Sequence, residues 1–144
     1  MVDEDGDQLR LRGFIDRVDR DPSGRLRIID YKTSHPSRFD NRAISDGKKL
    51  QIPLYALAAR DALGLGEPSE GFYWHVRHAV ASKFRMSTFD EGPEGAMERA
   101  LAKGWEAVRG VRQARFVPHP PSDGCPSYCP AVGFCWHFQP GYGG

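Results

Sequence analysis

Cysteine is scarce in this chain: the 144 residues contain three, and all three lie between residues 125 and 135. An odd number in one late stretch, with nothing upstream that resembles a signal peptide, argues against a disulfide framework. The sequence also lacks any apolar run that approaches the roughly 20 residues of a membrane-spanning helix, and it contains no internal repeat. These absences predict a cytoplasmic protein without a membrane segment.

The composition is that of one ordinary globular domain. Hydrophobic residues make up 40% and charged residues 27% of the 144 positions, which is enough chain for one core but not for two. The net charge is only +1, yet residues 8–49 hold more Lys and Arg than Asp and Glu, and the rest of the chain holds fewer. Such a basic excess favours contacts with phosphate groups, although alternating arginines also keep an exposed strand edge soluble.

Two strand-like runs, Gly13–Asp19 and Ile28–Thr33, are separated by the turn sequence Asp21–Gly24. Pro at the second position of this turn and Gly at the fourth favour a three-residue hairpin loop. In the register that this loop imposes, Val18 lies opposite Ile28. A two-residue loop would break that alignment.

The same register sets the side chain of Asp16 opposite that of Asp30, with Cβ atoms about 5 Å apart. Two carboxylates that close repel each other unless a cation lies between them, which favours Mg²⁺ or Mn²⁺. Because side chains alternate along a strand, Lys32 shares a face with Asp30. The alternative is an exposed hairpin end whose Asp30–Lys32 ion pair contributes only about 0–1 kcal/mol.

A helical pattern follows over residues 46–63. Gln51 and Tyr55 are four residues apart and therefore share a face of this helix. Ser45 or Asp46 is the expected N-cap, and Gly64 is the expected stop. Pro53 would cost roughly 3 kcal/mol deep inside a helix, which favours a first turn later than Asp46.

Three segments in this order, Gly13–Asp19, Ile28–Ser34 and Gln51–Tyr55 (GFIDRVD, IIDYKTS and QIPLY), resemble the RecB-type PD-(D/E)XK nucleases. These are the exonuclease domains of bacterial helicase–nucleases, with relatives among the CRISPR adaptation nucleases. The resemblance implies a restriction-endonuclease-like α/β fold, with a mixed central sheet flanked by helices near 46–63 and 93–115. It also implies a deoxyribonuclease, an exonuclease that depends on Mg²⁺ or Mn²⁺ and acts in DNA repair or recombination.

The resemblance also implies a role for each matching position. Asp16 and Asp30 would be the metal-ligating acids, and the backbone carbonyl of Tyr31 would complete that side of the metal shell. Lys32 would orient the attacking water or stabilise charge on the phosphate. The helix residues that would position Lys32 and the DNA backbone are Gln51 and Tyr55. The basic residues expected to contact DNA are Arg17, Arg38, Arg42, Lys48 and Lys49.

The cysteines form a second pattern, C-x3-C-x5-C, made by Cys125, Cys129 and Cys135. The spacing differs from the C-x2-C pair usual for zinc and is similar to the late cysteines of iron–sulfur members of the family. That likeness implies a [4Fe–4S] cluster, for which this sequence lacks the fourth cysteine. The alternatives are a zinc site completed by His119 or His137, and free reduced thiols.

We therefore expect a nuclease core over residues 1–117 and a cysteine-rich module with a tail over residues 118–144. The family's N-terminal helical stretch is missing, so we expect either a piece of a longer protein or a chain that has lost that part. The middle of the chain predicts strands at 71–77 and 83–86, which form a hairpin around 79–81. The helix Ala96–Arg115 should bury one apolar face, made of Met97, Ala100, Leu101, Trp105, Val108 and Val111.

Two further functions stay open on the sequence. The favoured nuclease would act on single-stranded DNA or duplex ends beside a helicase domain or subunit. The first alternative is a catalytically incomplete nuclease-like domain that binds DNA or a protein partner. The second is an interaction module stabilised by zinc, which would contain no iron and would not cleave DNA.

Overall fold

The computed structural model of this chain describes Gly6, residues 8–120 and residues 124–138. The chain divides into two compact units, Met1–Val108 and Arg109–Gly144. The tail after residue 138 lies outside the described residues. Within the described part, no helix combines the length and apolar character needed to cross a membrane.

The predicted hairpin is present and has the predicted register. Strand β1 (Arg17–Arg20) pairs antiparallel with strand β2 (Leu26–Lys32), and Val18 lies opposite Ile28. Strand β1 starts later than the sequence suggested, because residues before Arg17 do not join the ladder, whereas β2 starts earlier, at Leu26.

The loop of this hairpin has the three residues that the turn sequence predicts. The backbone N–H of Asp21 donates to Arg25 O at 2.9 Å, and Gly24 adopts a left-handed φ of 84° between them. The Ser23 hydroxyl and the Arg25 N–H both donate to the Asp21 carboxylate. These bonds lower the pKa of Asp21 to about 2. Asp21 thus fixes the turn that sets the register.

The remaining strands make the sheet mixed, as predicted. Strand β3 (Pro68–His75) lies parallel to β2, and the short strand β4 (Val80–Ala81) pairs antiparallel with β3, giving the order β1-β2-β3-β4. Parallel pairing needs a long crossover connection, and the helical segment between β2 and β3 provides it.

The predicted strand over residues 83–86 is wrong. The N–H of Phe84 donates to Phe39 O at 2.8 Å rather than to β3, and a 3₁₀ turn occupies Met86–Thr88. Phe84 and Met86 are fully buried in the core. Burial of these two side chains therefore draws the chain off the sheet edge after β4.

The helix predicted over 46–63 is present but begins later, at Gln51, and a short helix that the sequence did not predict precedes it. Helix α1 spans Asn41–Ser45, helix α2 spans Gln51–Leu57, and a π-helical turn over Ala58–Ala62 extends α2. The break contains two left-handed residues, Gly47 at φ 78° and Lys49 at φ 54°.

The predicted N-caps Ser45 and Asp46 are wrong, because the N-cap of α2 is Leu50, whereas the predicted late start is right. Asp40 caps the preceding helix α1, since its carboxylate accepts the Ala43 N–H at 2.9 Å. Pro53 stands in the first turn of α2, where a missing N–H costs nothing. The expected stop is also confirmed: Gly64, just after the helical segment, has a left-handed φ of 61°.

Helix α3 spans Gly92–Arg112, close to the predicted bounds. Its first half packs into the core through Ala96, Met97 and Ala100. The predicted apolar face does not stay buried along its length, because Val111 is 62% exposed. The core of the first unit joins one face of the sheet to the helices, and its largest fully buried apolar members are Leu26, Ile28, Ile44, Ile52, Tyr73, Phe84, Met86 and Met97.

Candidate active site

A buried ion pair ends strand β2. Lys32 Nζ lies 2.6 Å from Asp30 Oδ2, and the two side chains are 24% and 4% exposed. Apart from this ion pair, the buried carboxylate oxygen has no hydrogen-bond partner among the described residues. The exposed surface pair considered from the sequence is therefore wrong. A buried ion pair without full hydrogen bonding is costly, which points to a purpose other than stability.

Asp16 reaches the same place from the start of β1. Its Oδ2 accepts the backbone N–H of Tyr31 at 2.9 Å, although Asp16 itself lies just outside the strand ladder. The carboxylate thus accepts an N–H of β2, as a backbone carbonyl of a paired strand would, and this bond holds it near Asp30. The hairpin register thus brings the two predicted acids to one end of the sheet.

Helix α2 begins at the residue that contacts the lysine. Lys32 Nζ donates to Gln51 Oε1 at 2.7 Å, and Gln51 Nε2 donates to Tyr55 Oη at 3.2 Å. The two helix residues are one turn apart, as predicted. Tyr55 is packed beneath Gly13, where an added Cβ would lie 3.2 Å from the ring. Contacts thus connect four of the five predicted catalytic side chains in series, and the fifth, Asp16, is bonded to the backbone of Tyr31, the residue between Asp30 and Lys32.

The five basic residues expected to contact DNA are placed less uniformly. Arg17 donates to Asp19 at 2.8 Å and to the Tyr31 hydroxyl at 3.3 Å, on the sheet face opposite to that of Asp30. Arg42 and Lys48 flank Asp46 at 3.8 and 4.0 Å. The other two are Lys49, whose Nζ lies 4.6 Å from the Phe39 ring centroid, and Arg38, exposed in the 3₁₀ turn Pro36–Arg38.

Two residues of β3 near the lysine were missed by sequence reasoning. Tyr73 is fully buried with its ring centroid 5.5 Å from Lys32 Nζ, and burial raises the pKa of its hydroxyl. His75, for which the sequence offered no partner, is fully buried with Nδ1 2.7 Å from Ser34 O. Both lie opposite site residues in the parallel β2–β3 register. Knowledge of this register would have placed both residues at the site, but the pairing joins segments that are far apart in the sequence.

A groove of about 950 Å³ runs past the helix side of this cluster. Its walls include Gln51, Tyr55 and Arg12, together with the 84% exposed side chain of Phe14. The rest of the lining is aliphatic. The site therefore opens onto a surface that offers a cation, amide and hydroxyl groups, and an aromatic ring.

The donor set at the end of the hairpin suits a hard divalent cation. Such cations prefer carboxylate and carbonyl oxygens, and Asp30 Oδ2 is a buried oxygen with no hydrogen bond among the described residues. Asp16, held beside it through Tyr31 N–H, supplies a second carboxylate. A third His, Cys, Asp or Glu does not join them in the part of the chain that the structure describes.

The three cysteines of the second unit line one cavity of about 320 Å³, together with His119 and His137. Cys125 is buried, and the other two are half-buried free thiols. Among the described residues these side chains are not close enough to form a metal site. The assignments of a cluster and of a zinc ion therefore both rest on the sequence alone.

A mixed sheet with two acids and a lysine at the end of a hairpin is the arrangement of a nuclease of the PD-(D/E)XK kind. The family model of the PD-(D/E)XK nuclease superfamily matches residues 2–136. The chain belongs to this superfamily. The four-stranded mixed sheet and its helices fit that fold.

Three curated relatives, each named as a subunit of an ATP-dependent helicase/deoxyribonuclease, are similar to this chain. The protein of Streptococcus mutans is 30% identical over 67% of the chain, that of Moorella thermoacetica 42% over 52%, and that of Staphylococcus haemolyticus 35% over 53%. The matches cover 9%, 7% and 7% of the relatives' lengths. The chain thus corresponds to a small part of proteins of this kind. No solved structure gives a significant match.

Proposed function

We propose that this chain is the nuclease module of a RecB-type helicase–nuclease and hydrolyses DNA phosphodiester bonds. The observation that carries the proposal is the connected series from Asp30 through Lys32 and Gln51 to Tyr55, with Asp16 anchored alongside. Family membership and the relatives' names support the same activity.

Each side chain has a task in this proposal. Asp16 and Asp30, with the Tyr31 carbonyl, would hold Mg²⁺ or Mn²⁺, and the bound ion would supply Lewis acidity and a nucleophile at neutral pH. Lys32 places a positive charge where negative charge develops on the phosphate. In the reaction, the oxygen of water forms the new bond to phosphorus, the bond to the sugar oxygen breaks, and that oxygen gains a proton.

Gln51 and Tyr55 set the position of the lysine. Gln51 Oε1 accepts from Lys32 Nζ at 2.7 Å, so it limits where the ammonium can point. The Tyr55 hydroxyl accepts a hydrogen bond from Gln51 Nε2, and this bond fixes the orientation of the amide. Tyr55 also lines the groove. Arg17, Arg38, Arg42, Lys48 and Lys49 are the proposed contacts with the DNA backbone.

The finer assignments rest on the resemblance and on the names of the relatives. We propose an exonuclease that acts on single-stranded DNA or duplex ends in repair or recombination, with a helicase domain or subunit as partner. The nuclease core would span residues 1–117 and the cysteine module residues 118–144. Three thiolates would supply three ligands of a [4Fe–4S] cluster, with zinc as the alternative.

The direct test is Mn²⁺-dependent degradation of end-labelled linear single-stranded DNA. We expect Lys32→Ala to lower the cleavage rate by about 10²–10³-fold, the usual effect of losing one group that stabilises transition-state charge. Lys83→Ala is the matched control, since Lys83 is exposed beyond β4, and it should cleave at the wild-type rate. Equal loss in both variants would contradict the proposal. DNA binding without cleavage in the wild type would favour the incomplete, binding-only domain.

A further inference from the structure

We propose that Tyr73 is a positioning residue of the active site: it fixes the start of helix α2 and thereby the Gln51–Lys32 contact. The inference rests on the proposed function, since it assigns a residue that acts through Lys32 and Gln51. It differs from a packing role because it depends on the tyrosine hydroxyl and not on the ring alone.

Tyr73 lies below the site at the centre of the sheet. Its backbone is opposite Asp30 in the parallel β2–β3 register, and its side chain is fully buried. The ring contacts Phe39 with centroids 4.9 Å apart. A phenylalanine would make the same ring contacts, so packing alone does not require a hydroxyl here.

The hydroxyl contacts the backbone on both sides of Gln51. It donates to the carbonyl of Lys49, and it accepts the backbone N–H of Ile52 at 3.4 Å. Lys49 is one of the left-handed residues that separate α1 from α2. Tyr73 therefore links the residue before the helix to its first turn, across the position of Gln51.

Among the described residues, helix α2 lacks a side-chain cap of its own at this end. Its N-cap, Leu50, makes no side-chain capping bond, and the first described bond inside the helix is from Leu54 N–H to Leu50 O at 3.1 Å. The first turn of any helix leaves N–H groups without intrahelical partners. Pro53 has no N–H to satisfy, so the N–H groups of Gln51 and Ile52 are the ones in this turn that need an acceptor from outside the helix. Tyr73, in strand β3, supplies that acceptor for the Ile52 N–H.

The Tyr73 side chain also lies near Lys32, which donates the hydrogen bond to Gln51. The Tyr73 ring centroid lies 5.5 Å from Lys32 Nζ, within the range of a cation–π interaction. Burial raises the pKa of the hydroxyl, so it keeps the proton that it donates to Lys49. One residue thus orients both the ammonium of Lys32 and the helix end that carries Gln51.

Amide hydrogen exchange followed by NMR tests this without any need for activity. In the wild type, the Ile52 amide should be protected although it lies in a first helical turn; an unprotected Ile52 would overturn the proposal. In Tyr73→Phe, which keeps the ring, Ile52 should exchange about tenfold faster, the effect of one lost hydrogen bond. Ala100 in α3 should be unchanged; equal acceleration there would mean general destabilisation and would also overturn it.

Cleavage kinetics supply the second readout. We expect Tyr73→Phe to lower kcat about 3- to 10-fold, and to have no added effect in a Gln51→Ala background, because residues that act as a unit are not additive. Additive losses would overturn the proposal. The matched control is Tyr128→Phe, whose side chain is 80% exposed and whose loss should change nothing. If the wild type does not cleave DNA, the proposed function fails, while the exchange data still decide the role of Tyr73.

Discussion

At the scale of single residues, Asp16 combines two tasks that substitution can separate. Its carboxylate accepts the Tyr31 N–H, and its charge is the one proposed to hold the cation. Asparagine keeps an acceptor oxygen but removes the charge, whereas alanine removes both.

We predict that Asp16→Asn and Asp16→Ala both lose Mn²⁺-dependent cleavage, but that they differ in stability. The alanine variant should be less stable than the asparagine variant by about 0.5–1.5 kcal/mol, the usual net value of one hydrogen bond. Urea unfolding measures the difference. Equal stabilities would show that the bond to Tyr31 has no role in the fold, and full cleavage by Asp16→Asn would remove the charge from the mechanism.

The sequence was sufficient for some site residues and not for others, and the reason is distance along the chain. Asp16, Asp30 and Lys32 are joined by a short hairpin, so strand alternation and one turn place them together. Tyr73 and His75 join the site through parallel pairing with β2. That pairing depends on the crossover through α1 and α2, which no local pattern specifies.

At the scale of elements, the hairpin turn is the part that local sequence determines most completely. Gly24 has a left-handed φ of 84°, and an added Cβ would meet nothing within 4 Å. A substitution there therefore tests backbone strain without steric clash. Gly110 offers the opposite case, because it lies in α3, where an added Cβ likewise meets nothing.

We predict that Gly24→Ala destabilises the protein by about 1–2 kcal/mol, the cost of a left-handed conformation for a residue with a Cβ. Gly110→Ala, as the matched control, should stabilise it by roughly 0.5–1 kcal/mol, because alanine loses less entropy in a helix. Chemical denaturation of both variants gives the comparison. A Gly24→Ala variant as stable as the wild type would mean that the turn does not have this conformation.

The helices show where local patterns fail. A continuous apolar period predicted a helix over 46–63, but the first residues of that range, with left-handed Gly47 and Lys49, form the break between α1 and α2. The break lets α2 start at Gln51, next to Lys32. Tertiary contacts with Tyr73 fix that start, and periodicity does not contain them. The late start was predictable from Pro53 alone, because proline lacks an N–H and is tolerated only in the first turn of a helix.

At the scale of the whole molecule, the chain is a small part of the proteins it resembles. Its matches cover less than a tenth of each curated relative, so activity in isolation and activity within a larger assembly are separate questions. Metal binding at the hairpin is the property that this chain must supply by itself. Asp30 is the residue on which it depends most, since its buried Oδ2 has no hydrogen bond among the described residues.

The most direct measurement is therefore a titration with Mn²⁺, followed by paramagnetic broadening of backbone amide signals. We predict broadening centred on Tyr31 and Lys32 in the wild type, and its loss in Asp30→Asn, which keeps the size of the side chain but not its charge. Broadening centred elsewhere, for example around Asp46, or broadening unchanged by the substitution, would contradict a metal-dependent nuclease centre at the end of β2.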